Sequence, residues 1–245
     1  MRTTKIIAYG GSIIIPQRTY NQDAIDKLVS IADEHLDTRF VIIIGGGMLC
    51  RNINNKVKDL LSQALDSEKD INTAFDELGI AVTKINARTV IRRLTAKLGV
   101  KRIHQQYIDN PELFPETDAQ IIIASGFKPG VTTDYCMMRL AELSNASSAI
   151  KVSNFPVVLD VKPTEFNKDK VSSYKKLTDM TWSRMRLLVG DTAMAGGNYP
   201  LDPPSAMIGQ QLNQENDFSL LIGEAKELEN MVAGSDFYGT TVHGE

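Results

Sequence analysis

The 245-residue sequence predicts an α/β fold. We expect a three-layer, open, mainly parallel sheet of about eight strands with helices on both faces. Short Ile- and Val-rich runs alternate with longer stretches of helical periodicity, a pattern typical of parallel strands joined by crossover helices. Hydrophobic residues make up 42% of the chain but aromatic residues only 7%. Such an aliphatic composition is expected of strands that are buried on both faces.

Composition and charge also restrict the function class. The net charge is −3 and the pI is near 5.7, which argues against a nucleic-acid-binding protein. No apolar run approaches the ~20 residues of a membrane span, and residues 1–9 lack the apolar segment of a signal peptide. We therefore expect a cytoplasmic protein with neither nucleic acid nor membrane as partner. Cys50 and Cys136 lack C-x-x-C spacing, so reduced packing thiols are expected rather than a disulfide or metal site.

Three predicted strands in the first half each end at a glycine-bearing loop. Strand 5–9 leads into Gly10-Gly11-Ser12, strand 40–44 into Gly45-Gly46-Gly47, and strand 120–124 into the loop 125–130. Hydrophobic periodicity predicts the helices between and after these strands. The first helix is predicted over 21–36, with Asn21 as a possible cap. A second runs from the second glycine loop to about Leu65, one or two helices over 67–99 are closed by Gly99, and a further helix covers 134–144.

The glycine loops are candidate phosphate sites. The carboxyl ends of parallel strands meet at one edge of the sheet, so all three loops should open together. A strand that stops at glycines before a helix also brings backbone N–H groups to the helix N-terminus, where anions bind. Neither GxxxxGK[ST] nor GxGxxG occurs, and each loop taken alone is explained as well by a turn in which glycine supplies positive φ.

The second half is less regular, and no linker divides it from the first. Residues 149–163 predict two strands around a turn at 154–156, and the lysine-rich segment 168–176 predicts a solvated surface. The Gly/Pro-rich loop 190–204 is expected to be mobile or ligand-responsive. The remaining predicted elements are a helix at 203–213, a strand at 217–222, a helix at 224–232 and a strand at 237–242.

Six segments carry a family resemblance. They are GGS at 10–12, GGGMLCR at 45–51, FDELGIAVTKINA at 75–87, SGFKPGVTTDYCMMRLAE at 125–142, KVSN at 151–154 and DPPSAMI at 202–208. In this order they resemble the amino acid kinase superfamily and, within it, the archaeal type of uridylate kinase. The PGxTTD loop before a helix is the most specific of them. The resemblance implies one domain over 1–245, with an acceptor-binding lobe at about 1–148 and an ATP-binding lobe at about 149–245.

The same resemblance implies transfer of the γ-phosphoryl group of ATP to UMP, with Mg²⁺, no metal site made by the protein alone, and assembly as a homohexamer. Gly46 would hold the UMP phosphate and Asp76 the ribose hydroxyls. The loop that would wrap the nucleoside consists of Phe127, Lys128, Pro129, Gly130, Val131, Thr132 and Thr133. The residues implied on the ATP side are Gly11, Ser12, Gly47, Arg51, Ser153, Asn154, Leu159 and Lys162. The implied catalytic residues are Gly11, Ser12, Arg51 and Asp134, the last orienting the catalytic loops or supporting Mg²⁺.

These parts suit phosphoryl transfer, which needs in-line positioning, positive charge and N–H donors rather than covalent help. Simpler interpretations stay open for several of them. Asp76 is equally a candidate helix cap, Thr132 and Thr133 a helix start, and Arg51 a member of a surface salt bridge.

The sequence departs from the family pattern on the ATP side. Many members have a lysine where this chain has Ala8, although archaeal uridylate kinases often lack it too. The segment TNVDGVYxxDP is here SNFPVVLDVKP, and Met207 replaces the lysine of the DPxxxK helix. Lys128, Lys151 or Lys162 are the candidate substitutes for the missing cations.

Three functions therefore remain open: a UMP kinase, an enzyme of the same fold acting on another small phosphate, carboxylate or carbamate, and a non-catalytic nucleotide or oxoanion binder.

Overall fold

A seven-stranded sheet forms the centre of the protein in the part of the chain that the computed structural model describes, residues 2–16, 19–192 and 199–244. Its order is β3-β2-β1-β4-β8-β9-β7, and a separate pair is formed by β5 and β6. The strands are β1 Thr3–Tyr9, β2 Thr38–Ile44, β3 Ile121–Ala124, β4 Ser148–Ser153, β5 Val158–Leu159, β6 Lys176–Leu177, β7 Asp179–Thr181, β8 Ser219–Glu224 and β9 Gly239–His243.

The sheet is mainly parallel, as predicted. The neighbouring strands β3, β2, β1, β4 and β8 run parallel to one another. Strand β9 is antiparallel to β8 and parallel to β7. The main sheet of the described residues thus has seven strands rather than about eight, because β5 and β6 pair only with each other.

Helices cover both faces of the sheet. They are α1 Gly11–Ile14, α2 Gln22–Glu34, α3 Gly47–Ala64, α4 Glu68–Leu98, α5 Thr133–Leu143, α6 Trp182–Val189, α7 Pro203–Asn216 and α8 Leu228–Ala233. Alternate residues of each strand point to opposite faces. Ile7 and Tyr9 pack with α2, α4 and α8, while Ile6 and Ala8 pack with α5, α6 and α7.

Local signals set the ends of the predicted helices. Asn21 caps α2 by accepting a hydrogen bond from the N–H of Asp23 at 3.2 Å. The stretch 67–99 is a single helix, α4, which begins after the cap Ser67 and ends before Gly99 at φ +81°. The helix α6 and the short strands β6 and β7 had no counterpart in the predictions. Part of the loop predicted over 190–204, residues 193–198, lies outside the described residues.

Two other expectations can be compared with the structure. Cys50 and Cys136 are free thiols, as predicted. Among the described residues, no helix combines the length and the apolar character required to cross a membrane.

Candidate functional site

The first two glycine loops pack directly against each other at the carboxyl edge of the sheet. A Cβ atom at Gly11 would lie 2.2 Å from the backbone N of Gly47 and 2.5 Å from the carbonyl O of Gly45. A Cβ atom at Gly47, whose φ is +64°, would lie 2.2 Å from the carbonyl O of Gly11. No other residue type fits at Gly11 or Gly47. The glycines are therefore required for the contact between the loops, whatever ligand the loops bind.

Asn86, to which the sequence analysis gave no role, fixes the second glycine loop. Its side chain is fully buried, and Nδ2 donates to the carbonyls of Gly45 at 2.9 Å and Gly46 at 3.2 Å. Its Oδ1 accepts a hydrogen bond from the hydroxyl of Tyr20 at 3.1 Å. Because each trans peptide group is planar, carbonyls that point toward Asn86 turn the N–H groups of Gly46 and Gly47 away from α4. Those N–H groups are the predicted phosphate donors.

Arg51 lies beside the first loop. Its Nη2 donates to Ser12 Oγ at 3.3 Å, and among the ion pairs of the described residues none includes Arg51. The described side-chain contact of Arg51 is therefore with the first glycine loop and not with a carboxylate. Gly11, Ser12, Gly47 and Arg51, the residues expected to face the ATP phosphates, do lie together.

Asp76 joins α4 to the predicted nucleoside loop. It lies in the interior of α4, so the alternative that it caps a helix is wrong. Its Oδ2 accepts a hydrogen bond from the backbone N–H of Gly130 at 2.8 Å. One face of α4 holds a second contact of this kind, since Thr83 Oγ1 accepts from the N–H of Gly126 at 2.8 Å. The segment 75–87 thus contacts the second glycine loop through Asn86 and the loop before α5 through Asp76 and Thr83.

A cavity of about 510 Å³ opens between the amino half of α4 and this loop. Its size is within the ~300–1,000 Å³ of typical small-molecule sites. A cavity of about 550 Å³ also occurs at the amino end of β3, lined by residues from 100–106 and 117–119, at the opposite edge from the glycine loops. The residues lining the first cavity are Glu68, Lys69, Asn72, Thr73, Asp76, Pro129 and Gly130.

A partly buried charged pair lies where the loop becomes helix α5. Lys151 Nζ is 2.5 Å from Asp134 Oδ2, and the two side chains are 14% and 13% exposed. Burial raises the pKa of Asp134 above its usual value, the charge of Lys151 opposes this shift, and the charge of Asp202 adds to it.

Thr132 links the start of α5 to the start of α7 next to this pair. Its hydroxyl oxygen accepts from the N–H of Asp134 at 3.0 Å, so the expected helix start is confirmed. The same hydroxyl donates to Asp202 Oδ2. Asp202 in turn caps α7 by accepting from the N–H of Ser205 at 2.8 Å. One threonine therefore connects the loop before α5 to helix α7.

The remaining ATP-side residues divide into two groups. Ser153 and Asn154 directly follow Val152, whose carbonyl O lies 3.2 Å from the Cβ position of Gly10, so they adjoin the first glycine loop. Within the described residues, no hydrogen bond or ion pair connects Leu159 or Lys162 to the glycine loops. Leu159 instead belongs to the pair of β5 and β6.

Lys128 also lies apart from the charged pair. Its Nζ is 5.0 Å from the centroid of the Phe127 ring within the acceptor loop.

Comparison with known proteins agrees with this geometry. The model of the amino acid kinase family matches residues 3–214. This chain belongs to the amino acid kinase family. Two similar proteins in this family are the uridylate kinases of Methanoculleus marisnigri, 26% identical with 92% of this chain and 88% of that protein covered, and of Methanopyrus kandleri, 27% identical with 98% and 99% covered.

Solved structures of amino acid kinases share the fold. The uridylate kinase of Archaeoglobus fulgidus superposes with a TM-score of 0.71 at 18% identity, covering 99% of this chain and 100% of that chain. The UMP kinase of Bacillus anthracis gives 0.71 at 17%, covering 99% and 96%. At these identities the likeness establishes the fold alone.

Proposed function

We propose that this amino acid kinase transfers the γ-phosphoryl group of ATP to UMP, giving UDP. The observation that carries the proposal is the hydrogen bond from Gly130 to Asp76, which closes the PGVTTD loop against α4 beside a cavity of nucleoside size. The similar proteins of Methanoculleus marisnigri and Methanopyrus kandleri are uridylate kinases, and this supports UMP as the acceptor.

On the acceptor side, the N–H groups at Gly46 and Gly47 would donate to the UMP phosphate. Asp76 would accept the ribose hydroxyls through the oxygen that Gly130 does not occupy. The loop Phe127–Thr133 would cover the nucleoside. This division of work matches the general requirement that acceptor and donor phosphates be held in line.

On the donor side, Gly11, Ser12, Gly47 and Arg51 would face the ATP phosphates. Ser153 and Asn154 would lie beside the adenosine. The arginine supplies fixed positive charge where charge develops during transfer. Leu159 and Lys162 stay predictions of the ATP pocket, and so does the division into an acceptor-binding lobe and an ATP-binding lobe.

The donor atoms at the junction of the lobes fit Mg²⁺, which binds one or two carboxylates together with substrate phosphates. Asp134 is the candidate ligand, because its carboxylate is partly buried and pairs with Lys151 near the carboxyl edge of the sheet. In the described residues, no group of three or more His, Cys, Asp or Glu side chains is arranged to hold a metal ion. A Mg²⁺ ion here would therefore depend on nucleotide oxygens, and when bound it would neutralise phosphate charge.

The test is a coupled assay of ADP release with UMP, CMP, carbamate and small carboxylates as acceptors, run with ATP and Mg²⁺. We expect UMP to be the preferred acceptor. Calorimetry with UMP, ATP and UTP separates the alternatives. Binding of UMP without ATP would favour a non-catalytic binder, and binding of ATP without UMP would favour another acceptor.

The homohexamer and the cytoplasmic location implied by the resemblance are also proposals. Light scattering of the purified protein tests the first, and cell fractionation tests the second.

A further inference from the structure

Lys151 is a cation with a largely covered side chain, and its position calls for an explanation. Lysine is almost never fully buried unless it is paired, and the side chain of Lys151 is only 14% exposed. It belongs to β4, near the carboxyl edge of the sheet where the glycine loops lie. Because burying an ammonium group costs free energy, a lysine at this position is better explained by a role for its charge than by packing.

The strand register directs Lys151 toward the first glycine loop. In the parallel pairing of β1 with β4, Lys151 is the partner of Ala8, which stands two residues before Gly10. Registered residues on neighbouring strands point to the same face and lie about 4.8 Å apart. Ala8 offers only a methyl group on that face. The backbone of Lys151 therefore lies one strand spacing from Ala8, two residues before the first glycine loop.

The contacts of Lys151 leave donors free for a ligand. An ammonium group carries three N–H donors, and the described bond uses one of them, to Asp134. Asp134 lies in the first turn of α5, directly after the acceptor loop. Lys151 is thus bonded to the first turn of α5 and registered with β1 two residues before the first glycine loop. A phosphoryl group that passes from donor to acceptor would lie between these two segments.

We propose that Lys151 is a catalytic residue whose ammonium group binds the transferring phosphoryl group, with Asp134 as the positioning residue that holds it. The inference rests on the proposed kinase function. Of the three lysines considered, Lys128 lies over Phe127 in the acceptor loop and Lys162 has no described contact with the glycine loops. Lys151 alone among these three combines burial, register and an acidic partner at the junction.

The test compares Lys151→Met, Lys151→Arg and a relocated lysine, Ala8→Lys in the Lys151→Met background. Loss of one preorganised charge at the reacting group lowers turnover by about 100-fold or more, and we expect this for Lys151→Met with little change in UMP affinity. We expect the relocated lysine to recover at least about tenfold of that loss, since it returns a charge to the same face one strand away. Lys5→Met is the matched control, because Lys5 is a half-buried lysine of β1 far from the loop.

Turnover of Lys151→Met within about threefold of the parent, like that of Lys5→Met, would overturn the inference. Calorimetry with ATP and ADP provides a readout that does not need turnover. We expect Lys151→Met to weaken ATP at least about tenfold more than ADP, since only ATP has the γ-phosphoryl group. A parent that binds ATP but forms no UDP would defeat the proposed function while this comparison still tests Lys151. Equal losses for ATP and ADP, or no loss, would contradict the role of Lys151.

Discussion

The buried side chain of Asn86 offers the sharpest test of how the phosphate loop is held. In Asn86→Ala the carbonyl of Gly45 loses its described donor, whereas the carbonyl of Gly46 keeps a bond from the N–H of Cys50 at 3.4 Å. The hydroxyl of Tyr20 is only partly buried and can turn to water. One unsatisfied buried carbonyl costs about 1–3 kcal/mol, and the cavity left by the side chain adds to this. We expect a loss of about 2–4 kcal/mol in the free energy of unfolding.

For a domain of this size, about 2–4 kcal/mol corresponds to a fall in melting temperature of about 4–16 °C. Asn86→Asp keeps the shape of the side chain but presents oxygen instead of N–H to two carbonyls, so it should lose at least as much. Both variants should also weaken UMP, because the N–H groups of Gly46 and Gly47 lose their orientation. The measurements are urea unfolding and UMP calorimetry.

Asn55→Asp makes the same chemical change on an exposed position of α3 and should stay within about 0.5 kcal/mol of the parent. The reasoning is refuted if Asn86→Asp unfolds with the parent's midpoint and binds UMP with the parent's affinity.

Three further predictions concern single side chains. Asp76→Ala should weaken UMP by tens of fold and remove the preference for UMP over dUMP, at about 1–3 kcal/mol for each charged hydrogen bond; calorimetry that finds this preference unchanged would contradict the ribose role. Arg51→Ala should lower steady-state UDP formation by at least about 100-fold, and an unchanged rate would exclude Arg51 from the phosphate site. Burial raises the pKa of the Cys136 thiol to about 12, so at pH 8 the thiol should be protonated and covered, and it should resist iodoacetamide until urea is added. Mass spectrometry that finds Cys136 alkylated in the native protein at that pH would contradict the burial.

The fold of the first half could be predicted because its signals are local. The apolar runs of β1, β2 and β3 are buried strands, and the helical periodicity of 67–99 is one helix. The helix α6 was missed because Arg184 and Arg186 interrupt its apolar pattern. The strands β6 and β7 are two and three residues long, which is too short for a periodicity to emerge.

The sequence predicted which residues form the site better than it predicted the contacts that require them. Gly11 and Gly47 were recognised as special, yet the reason is a backbone contact between loops 36 residues apart, which no single segment reveals. Asn86 and Lys151 each contact a residue that is distant in the sequence. A polar residue on the buried face of a helix was the available signal for Asn86, whereas the position of Lys151 beside Ala8 requires the strand register.

Phosphorus NMR of a mixture of UMP, ATP and Mg²⁺ with the purified protein tests the central claim most directly. The account predicts that the β-phosphorus signal of UDP grows at the rate at which the γ-phosphorus signal of ATP disappears. Loss of the γ signal to inorganic phosphate alone, or an unchanged spectrum from protein that binds UMP normally, would contradict it.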